Sequence, residues 1–175
     1  MNDIIKAIKE RRSIRKFKGD MPEKKDIDAI IEAGLYAASG MGRQETKIIA
    51  VTDKTFRDRL SQVNRQIGGW KDENFDPFYG APVILIVLAD KACFTSLYDG
   101  SLVMGNLMLA AHSLGLGSIW IHRAKEEFEM PEYKEILKQL GIEGEWEGIG
   151  HCAIGYADCD IPEAAARKDG RVYYI

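Results

Sequence analysis

"SLYDGSLVMGNLMLAAHSLGLGSIWIH", residues 96–122, holds the reading on which the fold turns. Leu102, Leu107, Leu109, Ala110 and Ala111 make its first part apolar on nearly every side, which is the pattern of a central helix. Gly105 inside that helix costs stability and points to close packing. Two glycines, Gly115 and Gly117, then turn the chain into a short apolar strand. A buried helix feeding straight into a strand requires a sheet with helices laid over it.

The flanking sequence fits that requirement. "VILIVLA", residues 83–89, is a continuous apolar run of strand length, so both of its faces are expected to be buried. "KIIAVT" at 47–52 and "EGIGHCAIGYA" at 147–157 read as further strands. Between them lie helical patterns. Ile4, Ile5 and Ile8 follow Asp3 as a candidate N-cap, and Ile27, Ile30, Ile31 and Leu35 follow Pro22 in a first-turn position. A charged helix runs from about Lys54 to Arg65, and another starts at Pro131 and stops at Gly141. Helices alternate with strands, and no repeat or linker divides the chain. The expected class is α/β (α+β): a three-layer sandwich with a central mixed sheet, as one domain over residues 1–175.

Composition narrows the function. Of 175 residues 46% are apolar and 29% charged, with a net charge of −3. That acidic balance argues against broad nucleic-acid or anionic-membrane binding. No segment is long and apolar enough to span a bilayer, and the cytoplasm is the expected location. Cys93, Cys152 and Cys159 have no metal-ligand or disulfide spacing, so no metal is expected. His151 and Cys152 are adjacent in a strand and should point to opposite faces, one toward the core and one away. Glu126, Glu127 and Glu129 read as a solvent-facing helical run. No nucleophile, general base or phosphate loop stands out, so a catalytic role requires an organic cofactor and no catalytic side chain.

One cluster breaks the acidic pattern. "KERRSIRKF", residues 9–17, places Arg11, Arg12 and Arg15 around Ser13 behind a short helix. Two readings remain open on those residues alone. Basic side chains favour the C-terminal end of a helix dipole, and guanidinium forks with a serine hydroxyl also make a phosphate site.

Four segments taken together resemble a known family. "RRSIRKF", "AASGMGRQ", "NLMLAAHSLGLGSIWI" and "RKDGRVYYI" occur in the order found in the FMN-dependent nitroreductase family, and the likeness is closest to its compact members. The resemblance implies an FMN-dependent oxidoreductase that takes hydride from NAD(P)H and passes electrons to nitroaromatics, quinones or similar acceptors. It also implies an intertwined homodimer with FMN at the subunit interface. Arg11, Arg12, Ser13 and Arg15 match the positions that hold the FMN phosphate and ribityl chain, and Arg167 and Lys168 match a second basic pair. Ala38, Ser39 and Gly40 match a turn that approaches the partner subunit's flavin. Asn64 falls near a polar position at the isoalloxazine edge, and Ile121, His122 and Arg123 match a strand end facing the flavin. Trp120 is expected as a core aromatic beside that site. Where many relatives carry proline, asparagine and Pro-Trp in the second segment, this chain has Ala38, Gly42 and Glu45-Thr46.

Three questions stay open at this level. "GGWKDENFDPFYG", residues 68–80, is either a functional or a packed surface loop. The terminal "VYYI" has strand propensity and pairs either with a partner's sheet edge or within its own subunit. The alternatives to a nitroreductase-type enzyme are a dedicated flavin-dependent reductase or dehydrogenase of one metabolite, and a non-catalytic FMN storage module.

Overall fold

The computed structural model of the chain describes residues 2–175. The elements in order are α1 (Asp3–Glu10), α2 (Lys24–Leu35), β1 (Thr46–Val51), α3 (Lys54–Ile67), β2 (Val83–Asp90), α4 (Ser96–Ser113), β3 (Gly117–Ile121), α5 (Ala124–Glu129), α6 (Pro131–Gln139) and β4 (Trp146–Gly155). The strands form one sheet in the order β1-β2-β4-β3. Every strand pair in it is antiparallel, and the parallel component is confined to an isolated bridge between Ser13 and Ser118. The mixed sheet of the sequence reading is thus antiparallel in its body and mixed only at that bridge.

Strand β2 explains the layering. Ile84, Ile86 and Leu88 face a core shared with Leu60 of α3, Phe128 of α5, and Tyr133 and Leu137 of α6. Val83, Leu85 and Val87 face the opposite core, built with Ile27 and Ile30 of α2 and Val103, Met104 and Leu107 of α4. A strand with both faces covered carries no alternation, which is why its sequence is apolar without a break. The same geometry corrects the reading of His151 and Cys152. They do point to opposite faces, but both faces are interior and both residues are fully buried.

Local chemistry sets the boundaries. Asn2, not Asp3, caps α1, its side chain accepting the Ile4 N–H at 2.9 Å. Pro22 lies just ahead of α2, whose N-cap is Glu23. Asp53 caps α3 through the Phe56 N–H, and Pro131 occupies the first turn of α6. Gly148 lets α5 lie against β4, since a Cβ there would come within 2.1 Å of the Ala124 carbonyl oxygen. Gly105 lies on the outer side of α4, and no described residue comes within 4 Å of where a Cβ would stand, so it is not packed against this chain's own core.

That outer side is apolar. Leu97, Tyr98 and Leu102 of α4 are exposed, as are Ile4, Ile5 and Ile8 of α1, a helix with no buried residue. A cleft of about 460 Å³ lies between α1, α4 and the end of α2, lined by Ile4, Ala7, Ala33, Leu109 and Ala110. Residues 158–175 form an exposed tail without helix or strand, so "VYYI" pairs with no strand of its own chain. No described helix is long and apolar enough to cross a membrane.

Candidate functional site

The basic segment is fixed to the N-terminal end of β3 by its apolar residues. Ile14 and Phe17 are buried, the Ile14 N–H bonds the Ser118 carbonyl at 3.1 Å, and the Phe17 N–H bonds the Tyr79 carbonyl at 3.1 Å. Their burial sorts the charges between them. Arg11, Arg12 and Ser13 are half-buried, whereas Arg15 and Lys16 are exposed. Arg12 closes the end of α1, its Nη1 donating to the carbonyls of Lys9 and Arg11, both at 2.7 Å. Lys16 turns away into an ion pair with Asp158 at 2.8 Å, and that hydrogen bond raises its pKa.

Two guanidinium atoms in this segment have no partner. Arg11 Nη1 and Arg12 Nε are buried and make no hydrogen bond among the described residues, and both arginines line a cavity of about 120 Å³ together with His112, Gly115 and Ser118. Buried donors are normally satisfied, so donors left open around a cavity suit an anion that would enter it. Burial pushes the nearby Cys152 thiol up to about 12, with the Arg11 charge pulling the other way. The thiol is therefore an inert core group, and the positive charge reaches into the interior.

The C-terminal end of β3 is built in the opposite manner. Asn64 of α3 is fully buried, and its Nδ2 donates to the His122 carbonyl at 2.9 Å and to Glu127 Oε1 at 2.8 Å. Its Oδ1 accepts from Arg123 Nε at 2.9 Å. Glu127 Oε2 lies 2.7 Å from His151 Nε2, and His151 Nδ1 lies 3.3 Å from the Ile121 carbonyl. Glu127 and His151 are both 0% exposed, so Glu127 is not the solvent-facing residue its acidic neighbours suggest. Asn64 spends its amide inside the protein and meets the surface only through Arg123.

Arg123 itself is strained, with φ 79° in the left-handed region. Its guanidinium lies over the Trp70 ring, 4.4 Å from the centroid. Trp70 belongs to the 68–80 loop, which is a packed loop: Trp70 meets Phe75 at 4.9 Å, and Phe75 meets Tyr79 at 6.1 Å. Asp76 anchors it through an ion pair with Arg57 and by accepting the Ser61 hydroxyl at 2.7 Å. Burial works to raise the Asp76 pKa, but the bonds from Arg57 and Ser61 outweigh it and hold the carboxyl below its ordinary value.

The Ala38–Ser39–Gly40 turn lies elsewhere. Its Gly40 N–H donates to both carboxylate oxygens of Asp99 at 3.0 and 3.1 Å, and Ser39 Oγ accepts the Gln44 N–H at 3.0 Å. Only glycine fits, since a Cβ at Gly40 would sit 2.4 Å from Thr95 Oγ1. Asp99 is in the first turn of α4 and His112 in the last, so this turn and the Arg11 cavity are separated by about 20 Å of helix. Arg167 bonds only the Ala165 carbonyl, and neither it nor Lys168 reaches the Arg11–Arg15 segment among the described residues. Within one chain, then, Arg11, Arg12 and Ser13 gather at one end of β3, and Ile121, His122, Arg123 and Asn64 at the other. The Ser39 turn and the tail stand apart.

Sequence reasoning missed Glu127, His151 and Trp70. The available signal was His151 itself, an ionisable residue inside an otherwise apolar strand, because such a group requires a buried partner.

Comparison with known proteins bears on this arrangement. Residues 8–156 match the Nitroreductase family. The chain is similar over its full length to the crystal structure of a nitroreductase with bound FMN from Bacteroides fragilis, with a TM-score of 0.88, 26% identity and 100% of each chain covered. A nitroreductase with bound FMN from Desulfitobacterium hafniense gives a TM-score of 0.87 at 29% identity, again with 100% of each chain covered. The FMN reductase [NAD(P)H] of Bacillus subtilis is 28% identical over 173 residues, which cover 81% of this chain and 66% of that protein. The chain spans between 60% and 66% of the length of its first curated relatives.

Proposed function

The chain belongs to the nitroreductase family, and from that premise we propose that it is an FMN-dependent NAD(P)H oxidoreductase forming a single flavin-binding domain over residues 1–175. The observation that carries the reading is the pair of buried, unpartnered donors, Arg11 Nη1 and Arg12 Nε, at the end of β3. They fit the phosphate of FMN, and Ser13 Oγ and Arg15 supply further donors to it. When bound, FMN supplies hydride acceptance from NAD(P)H at N5 and electron delivery to a nitroaromatic, quinone or similar planar acceptor in a ping-pong scheme.

The chain's own residues bind and orient. Strand β3 leads from the Arg11 cavity to Ile121, His122 and Arg123, so the residues that would hold the phosphate and those that would face the ring lie at its two ends. The Asn64–Glu127–His151 network holds that strand end still, and the Arg123 cation favours anionic charge beside it. No side chain need act as acid or base, since positioning is the contribution required.

The functional unit is a homodimer in this reading. Ser39 and Arg11 lie too far apart to serve one flavin from one chain, and the exposed isoleucines of α1 with Leu97, Tyr98 and Leu102 of α4 form an apolar surface suited to a second copy. Arg167 and Lys168 then reach a phosphate only through the assembled pair, and "VYYI" adds to the partner's sheet edge. The cytoplasm is the proposed location, with no nucleic-acid or membrane partner.

The test is the visible spectrum of the purified protein followed by stopped-flow mixing with NADH and with NADPH. Flavin bands that bleach rapidly with either donor support the enzyme. Bound flavin that resists both donors overturns it in favour of a storage module, and a colourless protein that takes up no FMN overturns the flavin reading altogether.

A further inference from the structure

We propose that Arg123 and Trp70 form a recognition site for the anionic group of a planar aromatic acceptor, an assignment that rests on the flavin-dependent reading above. Arg123 carries a strained backbone, φ 79°, at the end of β3. Strain of this kind persists where the surroundings over-determine a conformation, and it concentrates at ligand sites. Here the surroundings are explicit. Asn64 Oδ1 takes the Arg123 Nε–H at 2.9 Å, and Asn64 is itself held by Glu127 and the His122 carbonyl.

With Nε used, the guanidinium retains Nη1 and Nη2. Neither has a hydrogen-bond partner among the described residues, and Arg123 forms no ion pair there. Its one hydrogen bond is to a neutral amide, and the carboxylate next in the network, Glu127, is fully buried behind Asn64. The free pair of parallel N–H donors matches a carboxylate end-on, which a lysine ammonium would not. Arg123 covers one face of the Trp70 ring, its guanidinium carbon 4.4 Å from the centroid, and Phe75 meets the same ring at 4.9 Å, so what Trp70 offers beside the fork is the exposed edge of a residue 39% open to solvent. A ligand that uses both places an anionic group on the fork and an aromatic ring against that indole edge.

The network behind Arg123 transmits position, not protons. It runs His151, Glu127, Asn64, Arg123, and an arginine does not release a proton in proteins. Asn64 is thus a positioning residue for the fork.

The test uses the FMN-loaded protein and two non-reducible probes of nearly the same shape, benzoate and benzamide, titrated calorimetrically. The wild type should bind benzoate about tenfold or more tightly than benzamide, as one charge-assisted contact provides. Arg123→Gln, kept loaded at saturating FMN, should erase that preference. Trp70→Leu should weaken both probes and keep their ratio, which remains informative if the arginine variant does not fold. Equal binding of the two probes by the wild type overturns the proposal. So does a raised KM for NADPH in Arg123→Gln with the benzoate preference intact, which would assign the fork to the dinucleotide phosphate. Unchanged binding in Trp70→Leu removes the platform and the proposal with it. A protein that holds FMN and is bleached by NAD(P)H yet ignores benzoate sinks this inference alone, whereas one that holds no FMN sinks the proposed function as well.

Discussion

The two ends of strand β3 handle polar groups in contrary ways. At the N-terminal end, Arg11 Nη1 and Arg12 Nε are buried with nothing to bond. At the C-terminal end, Asn64, Glu127 and His151 are fully buried and their polar atoms are used among themselves and on the Ile121 and His122 carbonyls. An unpaired buried donor carries a desolvation cost in the empty protein that a ligand can recover. A closed network recovers its cost during folding, and what it leaves open is the outer fork of Arg123, which Asn64 holds in place. On the proposed reading one end receives the cofactor phosphate and the buried part of the other supports the fold, and the two should respond to mutation in different quantities.

The largest effect is expected at the support. Glu127→Ala leaves His151 buried without its partner and should destabilise the fold by about 3–5 kcal/mol, read from urea denaturation. The double change Glu127→Leu with His151→Leu should recover much of that loss, since neither member of the pair is then left as a buried polar group without its partner. A cost under about 1 kcal/mol for Glu127→Ala would mean that the network is ornamental to the fold.

At the receptor the loss should appear in binding. Arg11→Ala should weaken FMN by about 1.5–3 kcal/mol in a fluorescence titration, and leave riboflavin, which lacks the phosphate, nearly unaffected. Unfolding of the flavin-free variant should match the wild type, because an unpaired donor has been removed. Equal losses for FMN and riboflavin would place the guanidinium somewhere other than at the phosphate.

A smaller, joint effect should follow deletion of residues 170–175, with FMN affinity falling and monomer fraction rising together in analytical ultracentrifugation. Mass action links them if the site needs both copies. A truncated monomer that keeps stoichiometric FMN would confine the receptor to a single chain.

The smallest effect concerns pH and the loop carrying Trp70. The folded-state pKa of Asp76 lies below the ordinary 3.8. Its contribution to stability is therefore complete above that value and is lost as pH falls through the lowered one. Acidification below pH 3.8 should loosen residues 68–80 before the core, seen as a change in Trp70 emission. Asp76→Asn should remove this acid transition.

What was legible in the sequence followed periodicity. The unbroken run of β2, the apolar helix α4 and the proline that opens α6 each express a local rule whose outcome the tertiary structure did not alter. The order of four segments carried the family. What escaped was direction. Glu126, Glu127 and Glu129 look alike along the chain, and only the docking of α5 over Gly148 turns Glu127 inward toward His151. Asn64 sits in a charged helix, and its burial depends on Arg123 arriving from a strand 59 residues away. The tail shows the same limit in another form. "VYYI" has the propensity of a strand, but a strand is a property of a pair, and this chain provides no second member.

Arg12 ties two of these features together. Its Nη1 holds the last carbonyls of α1 while its Nε waits unpaired at the cavity, so one rigid, planar group belongs to a helix end and to a receptor at once. An anion that captures Nε must fix the plane of the whole guanidinium, and with it the carbonyls of Lys9 and Arg11. Occupancy of the cavity would thus be recorded in the amide-exchange protection of α1, a helix with no buried side chain to protect it otherwise. An anion held there would also fasten a helix whose isoleucines lie exposed on the surface.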